Sequence, residues 1–78
     1  MKRNFTTLNH LPLYQKGIIE NLNCENTIKR RLLDLGFVSG TEITPILVSP
    51  SKDPRAFLVR GSIIAIREDD ASSIYVTF

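Results

Sequence analysis

The sequence contains no tryptophan, one histidine and one cysteine among its 78 residues. A single cysteine, Cys24, excludes an intramolecular disulfide framework, and unpaired cysteines are typical of proteins from reducing compartments. No apolar run approaches the ~20 residues that a membrane-spanning helix needs. The N-terminus has no apolar run of signal-peptide length either. Together these absences predict a soluble protein of the cytoplasm.

Neither sign of charge dominates, because ten Lys and Arg stand against eight Asp and Glu, giving a formal net charge of +2. Dedicated nucleic-acid binders usually carry a clear basic excess, so nucleic acid is not an expected partner. Apolar residues make up 42% of the chain, which is enough for a packed core. The length suits one domain and not two. We assign this domain to residues 8–78 and expect residues 1–7 to form a flexible N-terminal segment.

Side chains for catalysis or metal binding are also scarce. Catalysis requires a nucleophile with a base, paired carboxylates or a metal, and zinc or iron sites require three or four convergent ligands. Nothing in the spacing of His10 and Cys24 indicates that they meet, and the acidic run Glu68-Asp69-Asp70 is typical of a solvated turn. We therefore predict that the protein is not an enzyme and has no catalytic residue, metal ligand or bound cofactor.

What the sequence does contain is one amphipathic helix, predicted from Thr27 to Leu35. Asn26 or Thr27 is expected to cap its start with a side-chain oxygen, and Gly36 to close its end in the left-handed conformation. Leu33 lies off the apolar face of the helix. That face, which we expect to contact the core, consists of Ile28, Leu32 and Leu35.

The rest of the chain predicts five short strands, over residues 16–22, 42–48, 56–59, 62–67 and 74–78. Arg60-Gly61 is expected to form a tight hairpin turn with positive φ at Gly61, and Pro45 requires an edge or a bulge because it cannot donate a hydrogen bond. Five short strands and one helix bury themselves best as a small barrel. The predicted fold is therefore mainly β, an SH3-like barrel with one short α-helix inserted after the first strand. We read Gly36, Gly40 and Gly61 as structural.

The helix and the turn after it resemble a known family. The segment Arg30-Arg31-Leu32-Leu33-Asp34-Leu35-Gly36-Phe37, followed by Ser39-Gly40-Thr41-Glu42-Ile43, is similar to the signature of the ferrous iron transport protein A (FeoA) family. The resemblance extends from about Leu8 to Val76. It implies an SH3-like barrel over residues 8–78 and a cytosolic accessory of the ferrous iron permease FeoB, which carries a G-protein domain. It implies no iron held as a fixed cofactor, and it leaves gating, nucleotide turnover and assembly open as modes of action.

The helix is the candidate docking surface for such a partner. We predict Arg30, Arg31 and Leu33 as partner-binding residues, because a guanidinium matches carboxylates and an off-core leucine can enter a partner's pocket. The structural alternatives are that Leu33 is a second core contact and that the arginines form a solvated helix face, with Arg30 paired to Asp34.

Two other functions stay open at this point. One is nucleic-acid binding through the barrel, which would weaken steeply with salt. The other is a response to free ferrous iron through His10, Cys24 and the acidic residues. On the preferred interpretation, the protein reaches the membrane only through its partner, the permease.

Overall fold

The computed structural model describes residues 4–78. Within this range the chain forms a six-stranded antiparallel sheet in the order β1-β6-β2-β3-β4-β5. The strands are β1 (Phe5–Thr7), β2 (Gly17–Leu22), β3 (Glu42–Val48), β4 (Arg55–Val59), β5 (Ser62–Ile66) and β6 (Ile74–Thr77). The helical elements are a 3-10 turn η1 (Leu8–His10), helix α1 (Asn26–Asp34) and the one-turn helix α2 (Glu68–Ala71).

Strand β1 is one more strand than the sequence predicts. Residues 5–7 were expected to lie in a flexible segment, but Phe5 pairs with Thr77 and Thr7 with Tyr75. Three residues are too few to show a periodic pattern, so only the pairing with β6 reveals this strand. As a result the inserted helix α1 follows the second strand and not the first. Residues 1–3 lie outside the described residues.

The alternating strands bury one face each around a single core. The fully or nearly fully buried apolar side chains are Leu8, Leu11, Ile19, Leu22, Leu32, Phe37, Ile43, Phe57, Val59, Ile66, Ala71, Ile74 and Val76. Irregularities bend the sheet around them, because the register shifts between Ile19 and Asn21 in β2 and between Pro45 and Leu47 in β3. Bulges of this kind increase strand twist. The second one confirms the prediction that Pro45 needs a break in the ladder.

Helix α1 ends as the sequence predicts but begins differently. Gly36 has a φ of 101°. Its N–H donates to the Leu33 carbonyl and the Phe37 N–H to the Leu32 carbonyl, both at 3.0 Å. This pair of bonds is the Schellman arrangement, which needs a left-handed residue at Gly36. The residue preceding the helix is Glu25, with no side-chain cap, so the predicted cap at Asn26 or Thr27 is wrong. The backbone becomes helical one residue earlier than expected and takes Asn26 into the helix.

The β4–β5 hairpin turns through two residues with positive φ, Arg60 at 52° and Gly61 at 80°. Two left-handed residues in succession make the type I′ turn that matches the twist of a hairpin. The sequence predicts this conformation at Gly61 but not at Arg60. The acidic turn expected after β5 forms the helix α2.

Candidate partner-binding surface

The leucines of α1 separate into a buried and an exposed set. Leu32 is 1% exposed, whereas Leu33 is 39% and Leu35 is 44% exposed. The expectation that Leu35 belongs to the core face is therefore wrong. It follows the last helical residue and points outward at the turn that ends the helix, whereas Phe37, two residues later, is fully buried. Leu33 is not fully buried in the core, so its apolar side chain is partly exposed at the surface.

Leu33 borders a groove between α1 and β2 with a volume of about 200 Å³. The groove is lined by Ile19, Glu20, Asn21, Leu22, Lys29, Leu33, Phe37 and Ser39. Ser39 Oγ donates to the Glu20 carbonyl at 3.1 Å, which ties the loop after α1 to β2. Because the lining combines the buried apolar residues Ile19 and Phe37 with polar residues, the groove suits an apolar side chain carried by a polar segment.

The three basic side chains of α1 have different surroundings. Arg31 Nη2 lies 3.5 Å from Asp70 Oδ2, so Arg31 contacts α2. Lys29 and Arg30 are exposed, and neither forms an ion pair within residues 4–78. The predicted pairing of Arg30 with Asp34 does not form there. Two cations without an ion pair in that range therefore stand on the same helix as Leu33, and exposed cations of this kind attract acidic partners.

Arg55 lies in a different environment, at the contact between η1 and β4. Arg55 Nη1 donates to the Asn9 carbonyl at 2.7 Å and Nη2 to the Leu11 carbonyl at 2.8 Å. Its guanidinium lies 5.7 Å from the centre of the Phe57 ring. Burial lowers the pKa of Arg55, and the nearby carboxylate of Glu68 opposes that effect.

Sequence reasoning did not single out Arg55, although a signal was present. Period-two alternation in β4 places Arg55 on the same face as the buried Phe57 and Val59. An arginine on a buried face needs acceptors, and the carbonyls of Asn9 within η1 and Leu11 just after it supply them. Arg55 therefore links β4 to η1 through its side-chain hydrogen bonds.

His10 and Cys24 are not brought into a common site. His10 is the last residue of η1, and its Nδ1 atom lies 3.1 Å from Oγ1 of Thr7, the residue before η1. Cys24 lies between β2 and α1, half-buried against the core. Within the part of the chain that the structure describes, no three His, Cys, Asp or Glu side chains are grouped so that they could hold a metal ion.

The fold and the surface together define a class: a small, mainly β SH3-like domain with a groove of mixed polar and apolar lining beside a helix that carries three cations. None of the helices among residues 4–78 combines the length and apolarity needed to cross a bilayer. The FeoA domain family matches residues 6–77, so the chain belongs to the FeoA family. This family is involved in ferrous iron transport, and the resemblance seen in the sequence is confirmed.

Individual relatives agree with this assignment. The putative Fe(2+) transport protein A of Campylobacter jejuni is 36% identical over 70 residues, which are 90% of this chain and 95% of that protein. An Fe(2+) transport protein A/Fe(2+) transporter FeoB fusion protein of Porphyromonas gingivalis is 28% identical over 69 residues, 88% of this chain. The match spans only 8% of the fusion protein's length.

The solved structure of FeoA from Stenotrophomonas maltophilia, complexed with zinc and described as an SH3 domain protein, superposes with a TM-score of 0.81. It is 31% identical, and the match covers 91% of this chain and 88% of that one. The predicted SH3-like fold is confirmed by this neighbour.

Proposed function

We propose that this protein is a cytoplasmic accessory of ferrous iron uptake that docks onto a FeoB-type permease through the α1 surface, defined as Lys29, Arg30, Arg31 and Leu33. The observation that carries the proposal is the exposed Leu33 at the rim of the α1–β2 groove, flanked by two cations without an ion-pair partner within residues 4–78. A FeoA–FeoB fusion in a relative supports the choice of partner, because fusion raises the effective concentration of one domain near the other.

The surface suits a small, reversible contact. Leu33 already has part of its side chain covered, so its remaining exposed area and the groove would supply an apolar anchor. Lys29 and Arg30 would speed encounter with an acidic segment of the permease's cytosolic part and set its orientation. Interfaces of this kind bury less than about 1,200 Å² in total and exchange readily. Reversible docking would let the accessory respond to the state of the permease.

The test is binding of the full chain to the cytosolic G-protein domain of the permease, measured by calorimetry or interferometry. We expect the double variant Arg30→Glu, Leu33→Asp to bind at least about tenfold more weakly, since it removes the anchor and reverses a charge. The matched control is Lys52→Glu, Leu47→Asp, which makes the same charge change at exposed positions of the β3–β4 side. Equal affinity of the wild type and the α1 double variant, with both folded, would exclude this surface.

We propose no catalytic residue and no resident cofactor for this function. Docking needs only shape and charge, and the described residues offer the α1 surface for that purpose. The alternative functions give opposite results in simple assays. Nucleic-acid binding would appear as an oligonucleotide complex that weakens steeply with salt. Iron sensing would appear as heat on anaerobic addition of ferrous ion, reduced by changing His10 or Cys24.

A further inference from the structure

Strand β5 forms an open edge of the sheet. It is last in the strand order and pairs with β4 alone, from Val59 opposite Ser62 to Arg55 opposite Ile66. Among residues 4–78, no other backbone hydrogen bond reaches β5. The peptide groups on its outer side are therefore unpaired by the rest of the described chain.

The hairpin geometry identifies which peptide groups those are. A two-residue turn closes on a pair that exchanges both backbone hydrogen bonds, here Val59 and Ser62. Bonding then alternates, so that Ser62, Ile64 and Ile66 direct their N–H and C=O groups at β4. Ile63 and Ala65 direct theirs at the open edge. Both of these residues are exposed, Ile63 by 68%.

This edge has none of the features that normally prevent strand pairing. Natural edge strands are protected by proline, lysine, inward charges or a bulge, whereas β5 reads Ser-Ile-Ile-Ala-Ile and pairs in regular register with β4. The neighbouring outer face is apolar as well, because Leu58 lies opposite Ile63 and is 41% exposed. An unprotected apolar edge beside an apolar face is a template for another strand.

We propose that β5 pairs antiparallel with β5 of a second copy of this chain, about a two-fold axis at Ile64. In this register Ile63 of each copy lies opposite Ala65 of the other, and their outward peptide groups form four hydrogen bonds. The exposed Ile63 and Leu58 side chains of the two copies join into one apolar strip. A two-fold contact occupies the β5 edge of both copies at once, so this contact joins two copies and no more.

The charges at the two ends of β5 favour a second copy of this chain as the partner of the open edge. The two-fold register brings the Arg60 turn of one copy beside the start of α2 in the other, and the symmetry makes this contact twice. That start carries Glu68 and Asp69, both exposed, with one positive charge at Arg67. The turn is positive and the facing end is net negative, so the strand complements itself when it is antiparallel.

Shifting the register by two residues in either direction weakens the match. One shift centres the pair on Ile63 and sets Gly61 opposite Ala65, and the other sets Ile63 opposite Arg67. The first shift replaces the two Ile63–Ala65 pairs by one Ile63–Ile63 pair and moves Arg60 opposite Ile66, away from Glu68. The second replaces them by one Ala65–Ala65 pair and puts a charged side chain opposite each Ile63. None of the α1 surface residues lies in the pairing strands, so the dimer and the proposed docking can fail independently.

The first experiment measures assembly and backbone protection together. Sedimentation of the full chain from about 10 µM to about 1 mM should show a monomer–dimer equilibrium, since four bonds and a narrow strip give weak affinity. Over the same range, hydrogen exchange at the Ile63 and Ala65 amides should slow with concentration. The Ile64 amide, already bonded to β4, serves as the internal control. A monomer at every concentration, assembly beyond dimers, or a dimer without protection of Ile63 and Ala65 would overturn the proposal.

Two sets of variants test the register. Ala65→Pro removes an outward donor without touching the β4 ladder and should weaken the dimer at least about tenfold, whereas Ala65→Ser keeps the N–H and should not.

In a Cys24→Ser background, Ile64→Cys should cross-link readily, because paired Cα atoms without mutual hydrogen bonds lie about 4.5 Å apart. Ser62→Cys is the matched control, since its two copies would be offset by about 13 Å. Equal cross-linking at both positions would contradict the Ile64 axis, whether or not the proline variant folds.

Discussion

Arg55 and Arg30 occupy opposite kinds of surroundings in the same small domain. The guanidinium of Arg55 donates to one carbonyl of η1 and to one just after it, and it lies over the Phe57 ring. Arg30 stands exposed on α1 with no ion-pair partner within residues 4–78. Arg55 thus holds η1 and β4 together, whereas Arg30 is accessible to a binding partner.

The comparison separates stability from recognition. A polar group whose acceptors are backbone carbonyls of its own fold contributes to folding, and its loss leaves those carbonyls without a partner. An exposed charge contributes little to folding because water already solvates it. Variants in the first region should therefore change the free energy of unfolding, and variants in the second should change binding.

The largest effect should come from the two adjacent leucines of α1. Leu32→Ala removes a side chain that is 1% exposed and should lower the free energy of unfolding by about 2–5 kcal/mol, the range for cavities in cores. Leu33→Ala should cost less, about 1 kcal/mol, because that side chain is 39% exposed and loses less buried surface. Urea unfolding followed by circular dichroism measures both. Similar losses at the two positions would mean that Leu33 supports the fold, and would weaken its assignment to docking.

A smaller effect is expected for the two arginines. Arg55→Met keeps the apolar stem but leaves the Asn9 and Leu11 carbonyls without their donor, which should cost about 2–3 kcal/mol. Arg30→Met should change stability by no more than about 0.5 kcal/mol. Thermal unfolding at neutral pH compares the two variants directly. If Arg30→Met proved as destabilising as Arg55→Met, the contrast between the regions would not hold.

The smallest effect concerns the end of α1, which positions Leu33. Gly36→Ala forces an L residue into a φ of 101° and should cost about 1 kcal/mol. A Cβ at Gly36 would meet only Arg60 Cδ, at an ordinary 3.5 Å, so the cost is backbone strain and not a clash. Gly36→Asn is the control, since asparagine tolerates the left-handed region better and should lose less. Equal losses for Ala and Asn in urea titrations would indicate a steric cause.

Much of this architecture was predictable from residue patterns. Apolar spacing located α1, Gly36 located its end, and Pro45 indicated a break in the β3 ladder. Local chemistry decides these features, because a proline lacks a donor and a glycine alone adopts the left-handed region freely. The likeness of residues 30–43 to the FeoA signature extended that reading to the family.

Other features needed the folded chain. β1 exists only because β6 supplies its partners, and Leu35 is exposed at the turn that ends α1 although Phe37, two residues later, is fully buried. The acceptors of Arg55 are carbonyls more than forty residues away in the sequence, at Asn9 and Leu11.

The amino-acid order by itself determined where helix, turns and most strands form, since these depend on short-range periodicity and backbone preference. Tertiary packing alone decided which side of α1 stays open, which arginine is tied to the fold, and which strand is left at the edge of the sheet. The reason is physical: burial and pairing are properties of neighbours in space, and two adjacent leucines or two arginines of identical chemistry acquire different roles from the neighbours they meet.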